Sequence, residues 1–510
     1  MIFLEHPKLA NPKCKWNKVL IKKNIYSEGS FTFLNETHHF NETGWDSKNV
    51  PKLWIYNLHY FDYLLSDQDN NFSDQVFLNK WISENSSCSM GWDSYPTSLR
   101  IVNWIKFHLA GNILDRNVLD SLYTQANWLS KRIEYHIEGN HLFSNGKALI
   151  FAGVFFDSPE SRYLKKLGLD IIKLELKKQI LKDGGHFELS PMYHSIIVED
   201  ILDLIYLGDI YQGSMDAIFL DSLKNTALKM ISWLEVMTHP DGSLSFFNDS
   251  TNNISRSFKE ILDYALALNL SPKRNVKNFF VLKDSGYNAY ESNDYKILID
   301  TANVGANFQP GHGHADTLSF EASVLKRKFI VNLGVSAYQG PSLRLKERGT
   351  ESHSSIVIDG INSSDVWGEF RVGRRAKVID KEISINKEFI KIAASHSGYK
   401  YLKGSPIHRR KFYLYEKKFE IIDVLTGYGN HDIKVLFHFH PETKLIESRK
   451  SQITLLHHGL PINFRSNFIE FFSLKEFSYS PELGLKIPSN SLVLEYNCAF
   501  PCEIKSSFSW

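Results

Sequence analysis

The sequence has little cysteine and no long apolar run. Its four cysteines, Cys14, Cys88, Cys498 and Cys502, lack the paired spacing of a metal-binding motif. Cys498 and Cys502 could approach each other across a turn, but nothing requires a disulfide framework. No run of about 18 apolar residues predicts a transmembrane helix, and no export signal is visible at the N-terminus. These absences predict a cytoplasmic chain, with the periplasm or the cell exterior open if another export route exists.

The sequence also lacks a large excess of positive or negative charge. The formal net charge of +2 argues against a general nucleic-acid binder, although it permits a local basic groove. Aromatic residues, in contrast, are abundant, with 35 Phe, 23 Tyr and 10 Trp. Their faces stack on sugar rings but also fill protein cores, so they favour a carbohydrate-active protein only weakly.

At 510 residues the chain is longer than one hydrophobic core usually supports, so two or three domains are expected. Apolar residues recur at helical spacing over 98–110, 118–136, 161–181, 196–211, 220–238 and 257–268. Beyond a polar link the pattern alternates with a period of two, as in 295–300 and 354–359. We therefore predict a multidomain α+β protein, with an irregular segment 1–50, a helical domain 51–275 and a β-sandwich 283–510.

The most informative segment is 310–320, in which His312, His314 and Asp316 stand at every second position. On a β-strand these three side chains would share one face. That grouping suits acid–base or metal chemistry. The alternative is a polar loop that leads into a strand.

Other polar residues cluster near predicted helix ends. Such a cluster can serve a substrate, or it can simply cap a helix or pack in a core. Tyr95 and Arg100 could meet a sugar carboxylate at a helix start. The remaining candidates are Asn140, His141 and Asn145, then Glu188, Tyr193 and His194, and finally Asn248 and Asp249.

A metal site is a further possibility in the strand half. His314, Asn332 and His353 would form a three-point site if neighbouring strands bring them together. Asn is a poorer zinc ligand than Asp because it carries no charge. A hydrogen-bonded histidine pair without metal is the alternative.

The residue types favour one way of cutting a polysaccharide over another. Glycosidases need two carboxylates that flank the scissile bond, and no such pair stands out. Asn, Tyr and His suit β-elimination beside a uronic acid. In that reaction a neutral or cationic donor binds the sugar carboxylate, and Tyr or His transfers the protons.

Taken together, these segments resemble the heparinase II/III-like polysaccharide lyases, which include heparinase III and oligoalginate lyase types. The resemblance spans roughly residues 50 to 445. It is carried by 139–149 (GNHLFSNGKAL), 187–194 (FELSPMYH), 311–320 (GHGHADTLSF), 352–360 (SHSSIVIDG) and 367–376 (WGEFRVGRRA).

The resemblance implies an incomplete α/α toroid followed by an antiparallel β-sandwich. It also implies that Asn140 neutralises the uronate carboxylate, with help from His141. Tyr193 is similar to the family's catalytic tyrosine, an acid and for some stereochemistries also the base, and His312 to its catalytic histidine. The further substrate-binding candidates are His141, Tyr95, Arg100, His194 and Asn248.

The metal prediction follows from the same resemblance. His314 and His353 match two positions of a structural zinc site, and Asn332 stands where metal-binding relatives carry Asp. We therefore expect a structural zinc ion as the one cofactor. Asp316 is expected to orient the two histidines of its segment or the turn.

The expected function is a lyase that cleaves a uronic-acid-containing polysaccharide or oligosaccharide and releases unsaturated uronate products. Two alternatives stay open. One is a catalytically silent protein that binds glycans or assembles a bacterial surface polysaccharide. The other is a metal-dependent hydrolase built on His312, His314 and His353. Heparan-type, alginate-type and bacterial capsule uronates all fit, and the sequence gives no oligomeric state.

Overall fold

The computed structural model of the protein describes residues 5–17, 26–27, 29–66, 74–273, 278–449 and 452–510. These residues divide into two compact units. Unit 1 takes its described residues from Met1–Ile180, Ile196–Ile231 and Lys259–Lys273. Unit 2 takes its own from Leu181–Ser195, Ser232–Phe258 and Arg274–Trp510. The predicted helical half therefore contributes two segments to unit 2, and the predicted boundary at residue 275 lies outside the described residues.

Of the eleven α-helices found in the described ranges, nine lie in the predicted helical domain 51–275, the first lies in the N-terminal segment and the last lies in the strand-rich half. The helices are α1 (Phe40–Thr43), α2 (Lys52–Tyr60), α3 (Asp74–Glu84), α4 (Ser94–Leu109), α5 (Arg116–Leu129), α6 (Gly139–Phe155), α7 (Pro159–Gln179), α8 (Pro191–Ile210), α9 (Ala217–Val236), α10 (Phe258–Ala267) and α11 (Pro341–Arg348). Helical spacing in the sequence predicted α4, α5 and α7 to α10. None of the helices in the described ranges is long and apolar enough to cross a membrane.

Helix α6 is continuous across Gly146 and Gly153, although glycine weakens the interior of a helix. A Cβ atom at Gly153 would lie 2.4 Å from the backbone nitrogen of Lys165, and one at Gly168 would lie 2.6 Å from the carbonyl oxygen of Gly146. The missing side chains therefore let α6 and α7 pack with their backbones almost in contact.

Two buried lysines and two buried aspartates join the helices of unit 1. The Lys147 ammonium donates to Asp200 at 2.6 Å and also to Asp203, which in turn accepts from Lys106. The Tyr264 hydroxyl donates to the other oxygen of Asp203 at 2.8 Å. Burial would lower the pKa of Lys147, but the two carboxylates raise it, so its positive charge is retained.

The N-terminal segment contains regular structure, although the sequence pattern predicted none. Strands β1 (Lys8–Leu9), β2 (Tyr26–Ser27), β3 (Ser30–Phe33) and β4 (Glu36–His39) lie within it. Leu34 and Asn35 both have positive φ and form the two-residue turn between β3 and β4. Phe31 and Phe33 alternate inwards from β3, and both are buried.

The other strands are β5 (Phe156–Asp157), β6 (Phe279–Leu282), β7 (Tyr287–Glu291), β8 (Tyr295–Asp300), β9 (Phe320–Val324), β10 (Arg327–Ile330), β11 (Ile356–Ile358), β12 (Val366–Trp367), β13 (Arg371–Val372), β14 (Val378–Ile385), β15 (Ile390–His396), β16 (Ile407–Leu414), β17 (Lys418–His438), β18 (Thr443–Arg449), β19 (Gln452–His457), β20 (Leu460–Ser466), β21 (Phe472–Tyr479) and β22 (Ile487–Ser509).

Two antiparallel sheets of unit 2 form a sandwich. One sheet has the strand order β10-β9-β8-β7-β6. The other runs β14-β15-β16-β17-β22-β20-β19-β18, with β11 beside β17 and β21 beside β22. Apolar side chains from both sheets, such as Ile297, Phe320, Phe437 and Phe508, share one buried core. This arrangement follows from the alternation of inward apolar and outward polar residues along each strand.

We expect Asp203→Asn to destabilise the protein by roughly 3–5 kcal/mol, because it leaves two buried ammonium groups with a single carboxylate. The matched control is Asp209→Asn, an exposed position on the same helix, for which a change within about 0.5 kcal/mol is expected. Urea denaturation followed by circular dichroism measures both. Equal losses in the two variants would contradict the role of this cluster.

Candidate active site

Tyr193 and His312 lie face to face within unit 2. Their ring centroids are 4.0 Å apart, with an angle of 33° between the planes. Tyr193 stands in the first turn of α8. The Ser190 hydroxyl accepts from its backbone N–H at 3.2 Å and donates to the Asp249 carbonyl at 2.6 Å. Ser190 before Pro191 is a typical helix start, and here the same serine also holds the segment of Asp249.

The Asp249 carboxylate is the acceptor around which the site is arranged. His312 donates to it from Nδ1 at 2.8 Å and His314 from Nε2 at 2.8 Å, while Arg344 donates from its guanidinium. Asp249 and Arg344 are fully buried. Burial alone would raise the pKa of Asp249, but Arg344 and the two histidines hold it well below its ordinary value.

These contacts define the tautomer of the His312 ring. A carboxylate can only accept, so Nδ1 of His312 carries a hydrogen, and the lone pair of the neutral tautomer lies on Nε2. The His312 side chain is 16% exposed, in contrast to Asp249 beneath it. A base oriented in this way can take a proton from a bound ligand.

Tyr193 has a second aromatic neighbour. Its hydroxyl donates to the hydroxyl of Tyr338 at 3.1 Å. The Arg344 guanidinium lies 5.2 Å from the Tyr338 ring centre and 5.4 Å from that of Phe370. Burial raises the pKa of Tyr193 well above its ordinary value, and electrostatic repulsion from the neighbouring Tyr338 hydroxyl and from the Asp249 carboxylate adds to the effect. Tyr193 therefore holds its proton at neutral pH and suits a general acid.

The segment with His312, His314 and Asp316 is a loop rather than a strand, and β9 begins only at Phe320. The prediction that these residues share one face of a strand is therefore wrong, and the segment is a loop that leads into β9. His312 and His314 are brought together by a shared acceptor and not by strand alternation. Asp316 does not contact them: it accepts from the backbone N–H of Asn248 at 3.4 Å, and burial raises its pKa to about 7.

His314 and His353 lie next to each other, with ring centroids 5.3 Å apart. His353 bonds through Nδ1 to Asn332 Oδ1 at 3.0 Å. Burial lowers the pKa of His314 to about 4 and that of His353 well below its ordinary value, so both rings are neutral. Nδ1 of His314 and Nε2 of His353 are buried and have no hydrogen-bond partner among the residues described.

The two free ring nitrogens could supply two metal ligands, but a structural zinc ion usually has four. Asn332 adds no charge, and its oxygen is already bonded to His353. Within the described ranges no group of three His, Cys, Asp or Glu side chains could hold a metal. The donor set thus does not fit zinc well, and the expected zinc ion stays a prediction.

Unit 1 carries a second cluster of predicted site residues, at the start of α6. Asn140 donates from its side-chain amide to the Tyr95 hydroxyl at 3.3 Å, and the Tyr95 and His141 rings stack with centroids 4.2 Å apart. Glu134 accepts from Nδ1 of His141 at 3.1 Å, which leaves Nε2 for other partners. The first turn of a helix also attracts anions.

A groove of about 640 Å³ adjoins this cluster. Tyr95 and His141 line it together with Trp128 and Arg132. The Arg132 guanidinium lies 4.5 Å from the Trp128 ring centre, and this exposed arginine has no ion-pair partner in the part of the chain that the structure describes. An aromatic face beside an unpaired cation suits an acidic sugar.

Three predicted substrate-binding residues are scaffold residues instead. Arg100 is fully buried over Trp81 and donates to Gln125 at 2.8 Å. His194 is also fully buried and stacks on Trp233 at 4.4 Å. Asn248, with a φ of 56°, accepts from the His314 N–H and donates to Leu189 and Tyr287. None of the three side chains is left for a ligand.

Sequence reasoning missed the roles of Asp249, Tyr338 and Arg344. Asp249 was noted beside Asn248, but its sequence gives no sign that two histidines more than 60 residues away share it. Arg344 lies on the short helix α11, whose polar composition resembles that of a surface helix. A buried arginine of this kind is recognised only from its tertiary contacts.

The family is shown by two family models, which match consecutive parts of the chain. The Heparinase II/III N-terminus model matches residues 84–278, and the Heparinase II/III-like, C-terminal model matches residues 274–507. The chain belongs to the heparinase II/III-like family.

Named relatives and solved structures agree with this. A heparin-sulfate lyase of Pedobacter heparinus is 28% identical over 48% of the chain and 39% of the relative. One of Bacteroides stercoris is 24% identical over 68% of the chain and 51% of the relative. The chain thus matches about half the length of these relatives or less.

Crystal structures confirm the predicted fold class, a helical toroid-type region followed by an antiparallel β-sandwich. A structure of heparinase III superposes with a TM-score of 0.73 at 17% identity and covers 95% of the chain and 80% of its own. That of a heparan sulfate lyase HepC mutant from Pedobacter heparinus has a TM-score of 0.65 at 19% identity, with coverages of 94% and 81%.

We expect Asn332→Asp to raise the zinc affinity, because it supplies the missing negative charge beside the two free histidine nitrogens. Metal analysis after dialysis in dilute zinc should give less than one zinc per wild-type chain and a higher ratio for the variant. His353→Ala in the Asn332→Asp background should abolish the gain. Zinc that binds equally with or without the carboxylate would contradict this reading of the donor set.

Proposed function

We propose that the protein is a polysaccharide lyase, a carbon–oxygen lyase that cleaves a uronic-acid-containing glycan by β-elimination. The observation that carries the proposal is the Tyr193–His312 pair above Asp249. It combines a protonated phenol and an oriented imidazole base within 4.0 Å, measured between ring centroids. β-Elimination needs such a pair, because one group takes a proton and another gives one.

His312 is the proposed base. Its Nε2 accepts the C5 proton of the uronate, and the electrons of that C–H bond form the new double bond to C4. Asp249 stabilises the imidazolium that results, because its carboxylate already bonds to Nδ1. The buried Arg344 keeps Asp249 ionised, so the carboxylate is available to stabilise the imidazolium at every step of the reaction.

Tyr193 is the proposed acid. As the bond between C4 and the glycosidic oxygen breaks, its hydroxyl gives its proton to that oxygen. The Arg344 guanidinium near Tyr338 adds positive charge on the side where phenolate then develops. For a uronate of the other stereochemistry, Tyr193 serves as both base and acid, and His312 stabilises the charge that develops during the reaction.

Unit 1 carries a cluster of its own that suits an acidic sugar. Asn140 is assigned to the uronate carboxylate, since one amide hydrogen has no partner in the described ranges and the start of α6 favours negative charge. The groove beside it, with Trp128 and Arg132, suits an acidic sugar unit. The relatives named as heparin-sulfate lyases make heparan-type glycans the first substrates to test.

Tyr193→Phe and His312→Ala should each lower the rate of unsaturated uronate formation by about 10²–10⁴-fold, because each removes a group that transfers a proton in the reaction. The product is followed by its ultraviolet absorbance with a panel of uronic-acid glycans. Tyr163→Phe, at an exposed position, serves as the matched control and should keep full activity.

Three outcomes would contradict the proposal. Full activity in both Tyr193→Phe and His312→Ala would overturn the mechanism. Glycan binding without unsaturated product across the whole panel would favour a silent glycan-binding or surface-polysaccharide assembly protein instead. Saturated products that disappear with a chelator would indicate the metal-dependent hydrolase.

Arg132→Gln should raise KM by about tenfold and leave kcat nearly unchanged, since a charge-assisted contact to an acidic sugar would be lost. The effect should shrink as salt is added. Lys131→Gln, at the exposed neighbouring position, is the control and should change neither constant. Steady-state kinetics at two ionic strengths measures both variants, and equal effects would exclude a specific role for the groove.

A further inference from the structure

Cys498 and Cys502 lie in contact on strand β22. Their sulfur atoms are 2.9 Å apart, which is closer than the separation of about 3.5–4.0 Å that unbonded heavy atoms prefer. Both side chains are partly buried against the sandwich core. The other two cysteines, Cys14 and Cys88, are exposed, so the contact is a feature of this pair alone within the described residues.

A regular strand would not bring these residues together, because four residues of strand span about 13 Å. The contact lies where the pairing of β22 with β17 departs from a regular ladder. Phe500 pairs with Gly429 and Cys502 pairs with Leu425, so three residues of β17 oppose the single residue Pro501. The ladder is therefore irregular at this point, and the irregularity lies between the two cysteines.

The surroundings favour a neutral, cross-linked pair over a charged thiolate. Burial raises the pKa of Cys498 and, more strongly, that of Cys502. His431 pairs with Cys498 across the ladder. Its ring packs on that of Phe500, with centroids 4.5 Å apart. A disulfide carries no charge and needs no hydrogen bond, so burial does not penalise it.

We propose that Cys498 and Cys502 form an intrachain disulfide when the protein meets a disulfide-bearing oxidant such as oxidised glutathione. One cysteine thiolate attacks a sulfur of the oxidant, which forms a mixed disulfide and releases one thiol of the oxidant. The second cysteine attacks the mixed disulfide, forms the Cys498–Cys502 bond and releases the second thiol. The protein loses two protons and two electrons, and the oxidant gains them.

The consequence is a covalent lock where the β17–β22 ladder is irregular. Such bonds persist in oxidising compartments and are kept open by cytosolic glutathione. The bond would therefore be closed in an exported chain and open in the cytoplasm. The proposal is independent of the lyase activity, because no residue of the Tyr193–His312 site contributes to it.

The test uses the full chain with Cys14→Ser and Cys88→Ser, which leaves only this pair. The protein is equilibrated at graded ratios of oxidised to reduced glutathione, trapped with a maleimide, unfolded and weighed. We expect both thiols to become unreactive together, with a mass loss of about 2 Da and no glutathione adduct. Both cysteines lie in the tryptic peptide 487–505, so the same loss should map to that peptide.

Two comparisons make the test decisive. In urea the same chain should need an oxidised-to-reduced ratio at least about tenfold higher, because the fold no longer holds the sulfurs together. Adding Cys498→Ser or Cys502→Ser should give a single glutathione adduct or a free thiol and no loss of mass. Thiols that stay reactive at full oxidation, separate adducts on both cysteines, or closure that is no easier in the folded chain would overturn the proposal.

Discussion

One buried carboxylate organises unit 2 around the candidate site. Asp249 has no access to solvent, and a buried negative charge is tolerated only when donors surround it. His312, His314 and Arg344 provide them from two other segments of the chain, and Ser190 ties the start of α8 to the same residue through its carbonyl. Removing the charge would leave Arg344 buried without its anion, so the positions of Tyr193 and His312 depend on Asp249.

This constraint explains why His312 is suited to catalysis and His314 to a structural role. Both donate to Asp249, but His312 is partly exposed and His314 is enclosed beside His353. The ring that keeps contact with solvent can exchange a proton with a ligand, whereas burial keeps the other neutral. Within this pair, His353 donates from Nδ1 to the side-chain oxygen of Asn332, which fixes the orientation of its ring.

Much of the fold could be predicted from the sequence. Apolar spacing located α4, α5 and α7 to α10, and alternation located β8 and β11, because burial of one face imposes those periods. The motif residues also identified Tyr193, His312, Asn140 and His141, which the structure groups into two clusters. Arg100, His194 and Asn248 were misassigned. Polar residue types beside a site look alike in sequence, whether they face a ligand or satisfy buried backbone groups.

The sequence by itself determined the change from a helical to a strand-rich half, because burial of one face imposes those periods. Its motifs also carried the resemblance that identified the family and the candidate residues for proton transfer. Only the tertiary structure decided which acceptor orients His312, that residues 311–316 form a loop, and that Arg344 supplies the balancing charge. The reason is physical: the protonation and exposure of a side chain depend on neighbours distant in the chain, and a pattern along the chain does not encode such contacts.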